Sequence, residues 1–242
     1  MKIEEHETAE IKIKPSKQST DMPLGVKAPF LDRCSCYVIA GSQGSGKSTF
    51  TESIFCKGGD AKVFRGKFDM VFYSTPEEVM SSTDNHPFKC HPKERVFHDL
   101  SNETFANIIE NALAVKDAGG NSALILDDWS EELKTKRVEH LLRKLINKHR
   151  HFHLQICITL LTLKSLPKSL RSMIDCFVIF KPKSIIELAS FADDVFALPR
   201  NDLKKLFDHV FDERYNFLFY NQRDNIYYKN FTRLSLKDDD TE

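Results

Sequence analysis

The sequence predicts an α/β fold: a mainly parallel sheet flanked by helices, with a C-terminal antiparallel hairpin. Three observations predict it. Short apolar runs alternate with amphipathic, capped stretches, as parallel strands joined by crossover helices require. A glycine-rich turn, Gly41 to Thr49, joins one apolar run directly to a helix. Near the end, two runs rich in β-formers, Asn216 to Tyr220 and Ile226 to Phe231, flank the turn residues Arg223, Asp224 and Asn225.

Taken in order, residues 1–25 are polar and charged, carry Pro15 and Pro23, and read as a flexible N-terminal arm. A single domain is expected over 26–235, and 236–242 form a solvated acidic tail. Cys36 to Ala40 is the first buried strand, and Ser48 to Phe55 is the helix after the turn, closed by Gly58 and Gly59. Phe68 to Thr75 is a second strand, stopped by Pro76. From 76 to 95 the prolines at 76, 87 and 92 mark a long excursion, a kind of loop that in compact domains is usually functional or disordered. Ser101 caps a helix whose Phe105, Ile108, Ile109, Ala112 and Leu113 share one face, ended by Gly119 and Gly120. Ala123 to Leu126 is an apolar strand that ends in Asp127 and Asp128. Ser130 is expected to cap the next helix, with Val138, Leu141, Leu142, Leu145 and Ile146 facing inward. Leu154 to Thr159 and Cys176 to Phe180 are further strands. Two amphipathic helices follow, opened by the capping box at Ser184 and Glu187 and by Asn201, before the hairpin.

At 242 residues the chain buries a sizeable core, and 41% apolar with 29% charged residues is ordinary for a soluble globular protein. Lys plus Arg equals Asp plus Glu at 35 each, so any grip on nucleic acid must come from local patches or from assembly. The six cysteines are scattered, several in apolar runs, as reduced core residues of an intracellular protein would be. No apolar run is long enough to span a bilayer, and the acidic start is no signal peptide.

The chemistry concentrates in two stretches. Gly41 through Gly46, Lys47 and Ser48 fit G-x-x-x-x-G-K-S/T, and the strand, loop, helix context separates a phosphate-binding P-loop from an accidental match. Over Gly41, Ser42, Gln43, Gly44, Ser45, Gly46, Lys47, Ser48 and Thr49, backbone N–H groups turn toward phosphate oxygens, and the helix adds its positive end. ATP and Mg2+ are the expected ligands, with Lys47 on the β- and γ-phosphates and Ser48 on the metal. The strand-end acids form a Walker B segment: Asp127 for the magnesium shell, Asp128 to polarise the attacking water. Many relatives carry Glu at the second position, and the shorter Asp128 requires the water to sit closer. Arg150, ahead of a strand, and Arg171 are rival candidates for an arginine that completes a neighbour's site. The basic residues of 130–150 otherwise read as a solvated helix face. His86, Cys90, His91 and His98 lack the paired spacing of a zinc site. Asp117 to Gly120 fits D-x-x-G, but Arg150 stands where an N-K-x-D motif needs Asp, which argues against a GTPase.

The phosphate loop, the strand ending in Asp127 and Asp128, Arg150 with His151, the element Leu166 to Arg171, and the closing Tyr228 to Phe231 together resemble one family. It is the genome-packaging ATPases of poxviruses, giant viruses, virophages and polinton-type elements, within the FtsK/HerA group of DNA translocases. The resemblance covers 28–233. It implies a P-loop NTPase of the RecA-like additional-strand type, whose five main strands take the order 5-1-4-3-2. It further implies ATP-driven pumping of double-stranded DNA into a preformed capsid by a homo-oligomeric ring of about six subunits. A viral capsid protein or portal vertex would be a partner, and the host cytoplasm or viral factory, or the virion, the location. DNA would meet loops after the second and third strands, where Lys89, Lys93 and Arg95 are available. One departure stands out. The family ends its fourth strand in Thr-Gln, whose amide senses the γ-phosphate, whereas this strand runs on through Thr159, Leu160, Leu161 and Thr162. A hydroxyl of Thr159 or Thr162 is the available substitute. Two other classes stay open: a P-loop nucleotide or small-molecule kinase, for which no arginine-rich lid is visible, and a non-catalytic ATP-dependent scaffold, favoured by the missing Thr-Gln.

Overall fold

The computed structural model describes residues 22–56, 63–81, 86–182, 194–196 and 198–236. The N-terminal arm up to residue 21, the pair Gly58 and Gly59, the capping box at Ser184 and the tail from 237 lie outside the described residues. The strands are β1 (Cys36–Ala40), β2 (Met70–Ser74), β3 (Val96–Phe97), β4 (Ser122–Leu126), β5 (Leu154–Leu160), β6 (Cys176–Phe180), β7 (Phe217–Asn221), β8 (Ile226–Lys229) and β9 (Thr232–Arg233). They make one sheet in the order β3-β2-β4-β5-β1-β6-β7-β8-β9. From β3 to β6 every pairing is parallel, and β7, β8 and β9 add on antiparallel. Its centre, β6-β1-β5-β4-β2, is the expected 5-1-4-3-2 order.

The helices are α1 (Lys47–Cys56), α2 (Glu77–Ser81), α3 (Asn102–Asp117), α4 (Lys136–Lys148), α5 (Lys168–Arg171) and α6 (Arg200–Val210). Helices on both faces explain why β1, β4, β5 and β6 are buried along their whole length and mostly apolar, since neither side of these strands meets water. Alternate residues feed two cores. Cys36, Val38 and Ala40 pack with α3, α4 and α6, whereas Tyr37 and Ile39 join Phe50 and Ile54 of α1. Leu24 is buried in the second core, so the folded body takes in residues just ahead of 26.

Most local expectations hold. Ser101 Oγ accepts from Thr104 N at 3.1 Å, and Gly119 at φ 83° turns the chain out of α3. Val138, Leu142, Leu145 and Ile146 are the buried stripe of α4. Ser130 is a correction. α4 starts later, behind a 3-10 turn at Glu132–Lys134, with Thr135 in the cap position, and the Ser130 hydroxyl instead accepts from Leu161 N at 3.0 Å. Asn201 is also not a cap, because α6 begins at Arg200 behind Pro199. The excursion from 76 to 95 contains α2 and 3-10 turns at Pro87–Cys90 and Lys93–Arg95, and it runs directly into the unforeseen β3. Two residues carry no periodicity, so β3 exists only through its pairing with Tyr73 and Ser74.

Candidate functional site

Parallel strands place all their C-terminal ends on one edge, and the sheet order brings the P-loop after β1 beside the ends of β5 and β4. Gly41 N donates to Leu160 O at 3.1 Å, tying the loop to β5. Ser45 N donates to Ser42 O (3.1 Å), and Phe50 N to Gly46 O (2.9 Å) opens α1. Gly44 (φ 73°) and Gly46 (φ 107°) occupy the left-handed region that other residues rarely adopt. At Gly41 the constraint is space: a Cβ there would lie 2.6 Å from Ser45 Oγ and 2.7 Å from Phe180 Cβ.

Lys47 Nζ folds back into the loop, donating to Gly41 O at 2.6 Å and Ser42 O at 3.2 Å. Burial lowers its pKa, and the charges of Asp128 and Asp127 oppose that shift, so both acids stand within electrostatic reach of the ammonium. Ser45 Oγ is buried within the P-loop with no partner among the described residues. An orphaned hydroxyl there fits an oxyanion ligand. Ser48 and Thr49, at the first turn of α1, are exposed.

The acidic segment is stitched in place from two neighbouring strands, β2 and β5. Asp127 N donates to Ser74 O (2.8 Å), Asp128 N to Thr159 Oγ1 (3.1 Å), and Trp129 Nε1 to Ser74 Oγ (3.1 Å). The Asp127 carboxylate accepts one hydroxyl on each oxygen, from Thr159 on β5 and from Tyr73 on β2, the latter at 2.7 Å. Each oxygen keeps a lone pair. With the Ser48 hydroxyl, that is the hard-oxygen donor set that Mg2+ takes alongside water and phosphate. Asp128 sits at φ 59°, a left-handed conformation that Asp tolerates better than most residues. Burial and then the Asp127 charge raise its pKa, with Lys47 pulling it back. The arrangement therefore holds one carboxylate fixed by hydroxyls and a second inclined to accept a proton.

Tyr73 and His86 are the residues that sequence reasoning missed. Phe88 N donates to His86 Nδ1 (3.3 Å), which leaves the proton on Nε2, 3.0 Å from the Tyr73 hydroxyl oxygen. The relay thus runs from His86 through Tyr73 to Asp127. Burial and then the Asp127 charge push the phenol far above its ordinary pKa, so Tyr73 remains a neutral donor. Phe88 stacks on Tyr73 at 4.2 Å and 6°. A tyrosine next to the C-terminal end of a strand was a visible signal; His86, reaching back from the excursion, was not.

Thr159, one proposed stand-in for the missing amide, is committed to Asp127 and Asp128, and Thr162 Oγ1 accepts from Lys164 N at 3.0 Å. Arg150 lies in a 3-10 turn, His149–Phe152, before β5, and Arg171 ends α5 before β6. Both therefore sit at the amino edge of the sheet, about 20 Å along the strands from the P-loop. Arg171 is buried, with Nη1 2.7 Å from Asp194 and Nε donating to Leu166 O at 3.1 Å. Lys89 and Lys93 are exposed and Arg95 half-buried on the excursion. On the basic face, Lys134 and Arg143 pair with Glu131 and Glu139 in the open. His91 and His98 hydrogen-bond separately to Val71 O and Thr75 O, and among the described residues no three His, Cys, Asp or Glu converge as metal ligands. His149 donates Nδ1–H to Ile146 O at 2.6 Å, a packing role.

The NACHT domain model matches residues 35–197. No curated protein matches the sequence significantly. Among solved structures, the DNA-packaging ATPase B204 from Sulfolobus turreted icosahedral virus is 14% identical with a TM-score of 0.62, over 82% of this chain and 97% of its own. B204 from Sulfolobus turreted icosahedral virus 2, in complex with ATP-gammaS, is 16% identical with a TM-score of 0.54, over 83% of this chain and 98% of its own. EssC (ATPases 2 and 3) from Geobacillus thermodenitrificans is 12% identical with a TM-score of 0.50, over 85% of this chain but 41% of its own. At these identities the likeness is one of fold. Among the described residues no helix is long and apolar enough to cross a membrane.

Proposed function

The chain belongs to the NACHT-domain family of P-loop ATPases, and from that premise we propose that it hydrolyses ATP to drive double-stranded viral DNA into a preformed capsid. The observation that carries the hydrolytic half is the pair Asp127 and Asp128, held by hydroxyls on the same sheet edge as Lys47. The DNA half is supported by the likeness to the packaging ATPase B204.

Lys47 leaves the carbonyls of Gly41 and Ser42 for phosphate oxygens, and the P-loop amides with Ser45 Oγ take the rest. Ser48 and Asp127 are the residues that would hold Mg2+, which when bound supplies positive charge against the β- and γ-phosphates. Asp128 accepts a proton from the attacking water, a task its raised pKa suits. Tyr73 and Thr159 keep Asp127 from turning away. Because Arg150 stands at the far edge of its own sheet, it serves a neighbour's γ-phosphate in a ring of about six copies, where such an arginine is worth roughly 10³ to 10⁵ in rate. Arg171, occupied by Asp194, supports its own subunit. Lys89, Lys93 and Arg95 on each copy would sum to a basic channel although the protomer is neutral. The capsid or its portal vertex would receive the ring, in the host cytoplasm or viral factory or in the virion.

The test is phosphate release with and without double-stranded DNA at low salt. Stimulation that fades as salt rises is expected; a rate unmoved by DNA removes the translocase, and transfer of phosphate to an added acceptor instead of water makes the chain a kinase. A Lys47→Ala protein that still packages DNA would make it a scaffold.

A further inference from the structure

A cleft of about 1050 Å³ opens from the P-loop on the side away from the acids, between the start of α1, the segment Gly25 to Phe30 and the antiparallel flank of the sheet. Its size is at the upper end for small-molecule sites. Two of the five large apolar side chains exposed among the described residues, Tyr215 at 55% and Phe231 at 53%, line it. Neither is there by default. Tyr215 adopts φ 70°, a left-handed conformation costly for an aromatic residue. Its ring flanks the P-loop, since a Cβ on Gly46 would lie 3.5 Å from Tyr215 Cδ1. A polar clasp holds the chain in that shape: Asn216 Nδ2 donates to Asp212 Oδ1 (2.8 Å), Asn230 Nδ2 to Asn216 Oδ1 (2.9 Å), and Phe217 N to Asn230 Oδ1 (3.0 Å). Phe231 follows Asn230 directly and is propped from behind by Phe217 at 5.4 Å and Phe50 at 6.3 Å. The clasp thus fixes two half-exposed aromatic rings beside the loop that takes phosphates.

We propose that this cleft is the base subsite of the nucleotide site, where Tyr215 and Phe231 hold the base by stacking on its faces and no described side chain is fixed to read its edge. The second half follows from the lining. No Asn, Gln, Asp, Glu or Arg side chain, the groups that grip an amino or a keto edge in a fixed geometry, lines the cleft among the described residues, and of its lysines Lys47 belongs to the P-loop and Lys27 is exposed to water. The amine of Lys67 is already given to Gly25 O at 3.1 Å. Adenine and guanine therefore bind alike. The proposal rests on the P-loop reading above and adds the specificity that reading lacks.

Affinities of the full chain for ATP, GTP and inorganic tripolyphosphate test it, in the unaltered protein and in Tyr215→Ala, Phe231→Ala and Tyr215→Phe. ATP and GTP should bind within about threefold of each other in the unaltered chain. Each alanine variant should weaken both by about 5- to 100-fold, the range that loss of one aromatic platform costs a stacked base. Tripolyphosphate should bind unchanged, and Tyr215→Phe should keep the affinity. Unchanged ATP affinity in both alanine variants overturns the base subsite and leaves the P-loop reading standing. Tripolyphosphate lost in parallel with ATP in the variants also overturns it, because the rings then merely brace the loop. A preference of the unaltered protein above tenfold for ATP overturns the absence of edge reading. Failure of the unaltered chain to bind either ATP or tripolyphosphate sinks the P-loop reading and this proposal together.

Discussion

The two flanks of the P-loop are built by opposite rules. Toward β4 and β2 the site is polar and closed, with the Asp127 carboxylate, the Tyr73 and Thr159 hydroxyls and the backbone of Asp127 and Asp128 each engaged by a named partner. Toward β7 it is aromatic and open, with half-exposed rings around an unfilled volume. The difference teaches where each flank needs rigidity. Charge that must face a developing transition state gains from donors fixed in advance, whereas a flat apolar base needs only a surface to lie on.

Breaking the polar flank should have the larger consequences. Lys47→Ala removes an ammonium that feels the charge of both acids, and turnover should fall by at least about 10³-fold with nucleotide binding weakened as well, measured by phosphate release and by titration. Asp128→Asn keeps a residue that tolerates φ 59° and removes the base, so turnover should fall by about 10² to 10⁴. Its thermal midpoint should stay level or rise: a raised carboxyl pKa means that holding Asp128 ionised at neutral pH works against folding, and Asn lifts that cost. A drop in both activity and midpoint would instead make Asp128 a structural residue.

Tyr73→Phe sharpens the comparison, because it keeps the ring stacked on Phe88 and deletes only the donor to Asp127. A hydrogen bond to a charged group is worth about 1.5 to 3 kcal/mol, so a fall of about 10- to 100-fold in kcat, with KM for ATP little changed, is expected. Equal loss in both parameters would show a general loosening of the site. The smallest effect lies far from either flank. Burial holds the His149 imidazole below its ordinary pKa of 6.5, so the unfolded chain takes up its proton first as pH falls. Its contribution to stability is complete above about 6.5 and declines from there down to the folded pKa; His149→Gln should flatten that part of the denaturation midpoint's pH profile.

Legibility followed the range of the interactions. Ser101 and Gly119 mark the ends of α3 because caps are local, set by residues a few positions apart. Ser130 has the same local credentials, yet its hydroxyl answers Leu161 on another strand, and the helix begins without it. Asn201 yielded similarly to Pro199, whose fixed φ already suits a helix entry.

By itself the sequence determined the P-loop, the acid pair at a strand end and the five-strand parallel core, since each depends on residue type, spacing and continuous apolarity along the chain. Only the tertiary structure decided that Tyr73 and His86 stand behind Asp127, that Arg171 belongs to Asp194, and that Tyr215 and Phe231 border the P-loop. Those partners lie on separate strands and loops, and no local pattern encodes a contact whose two halves meet only when the sheet has closed its order.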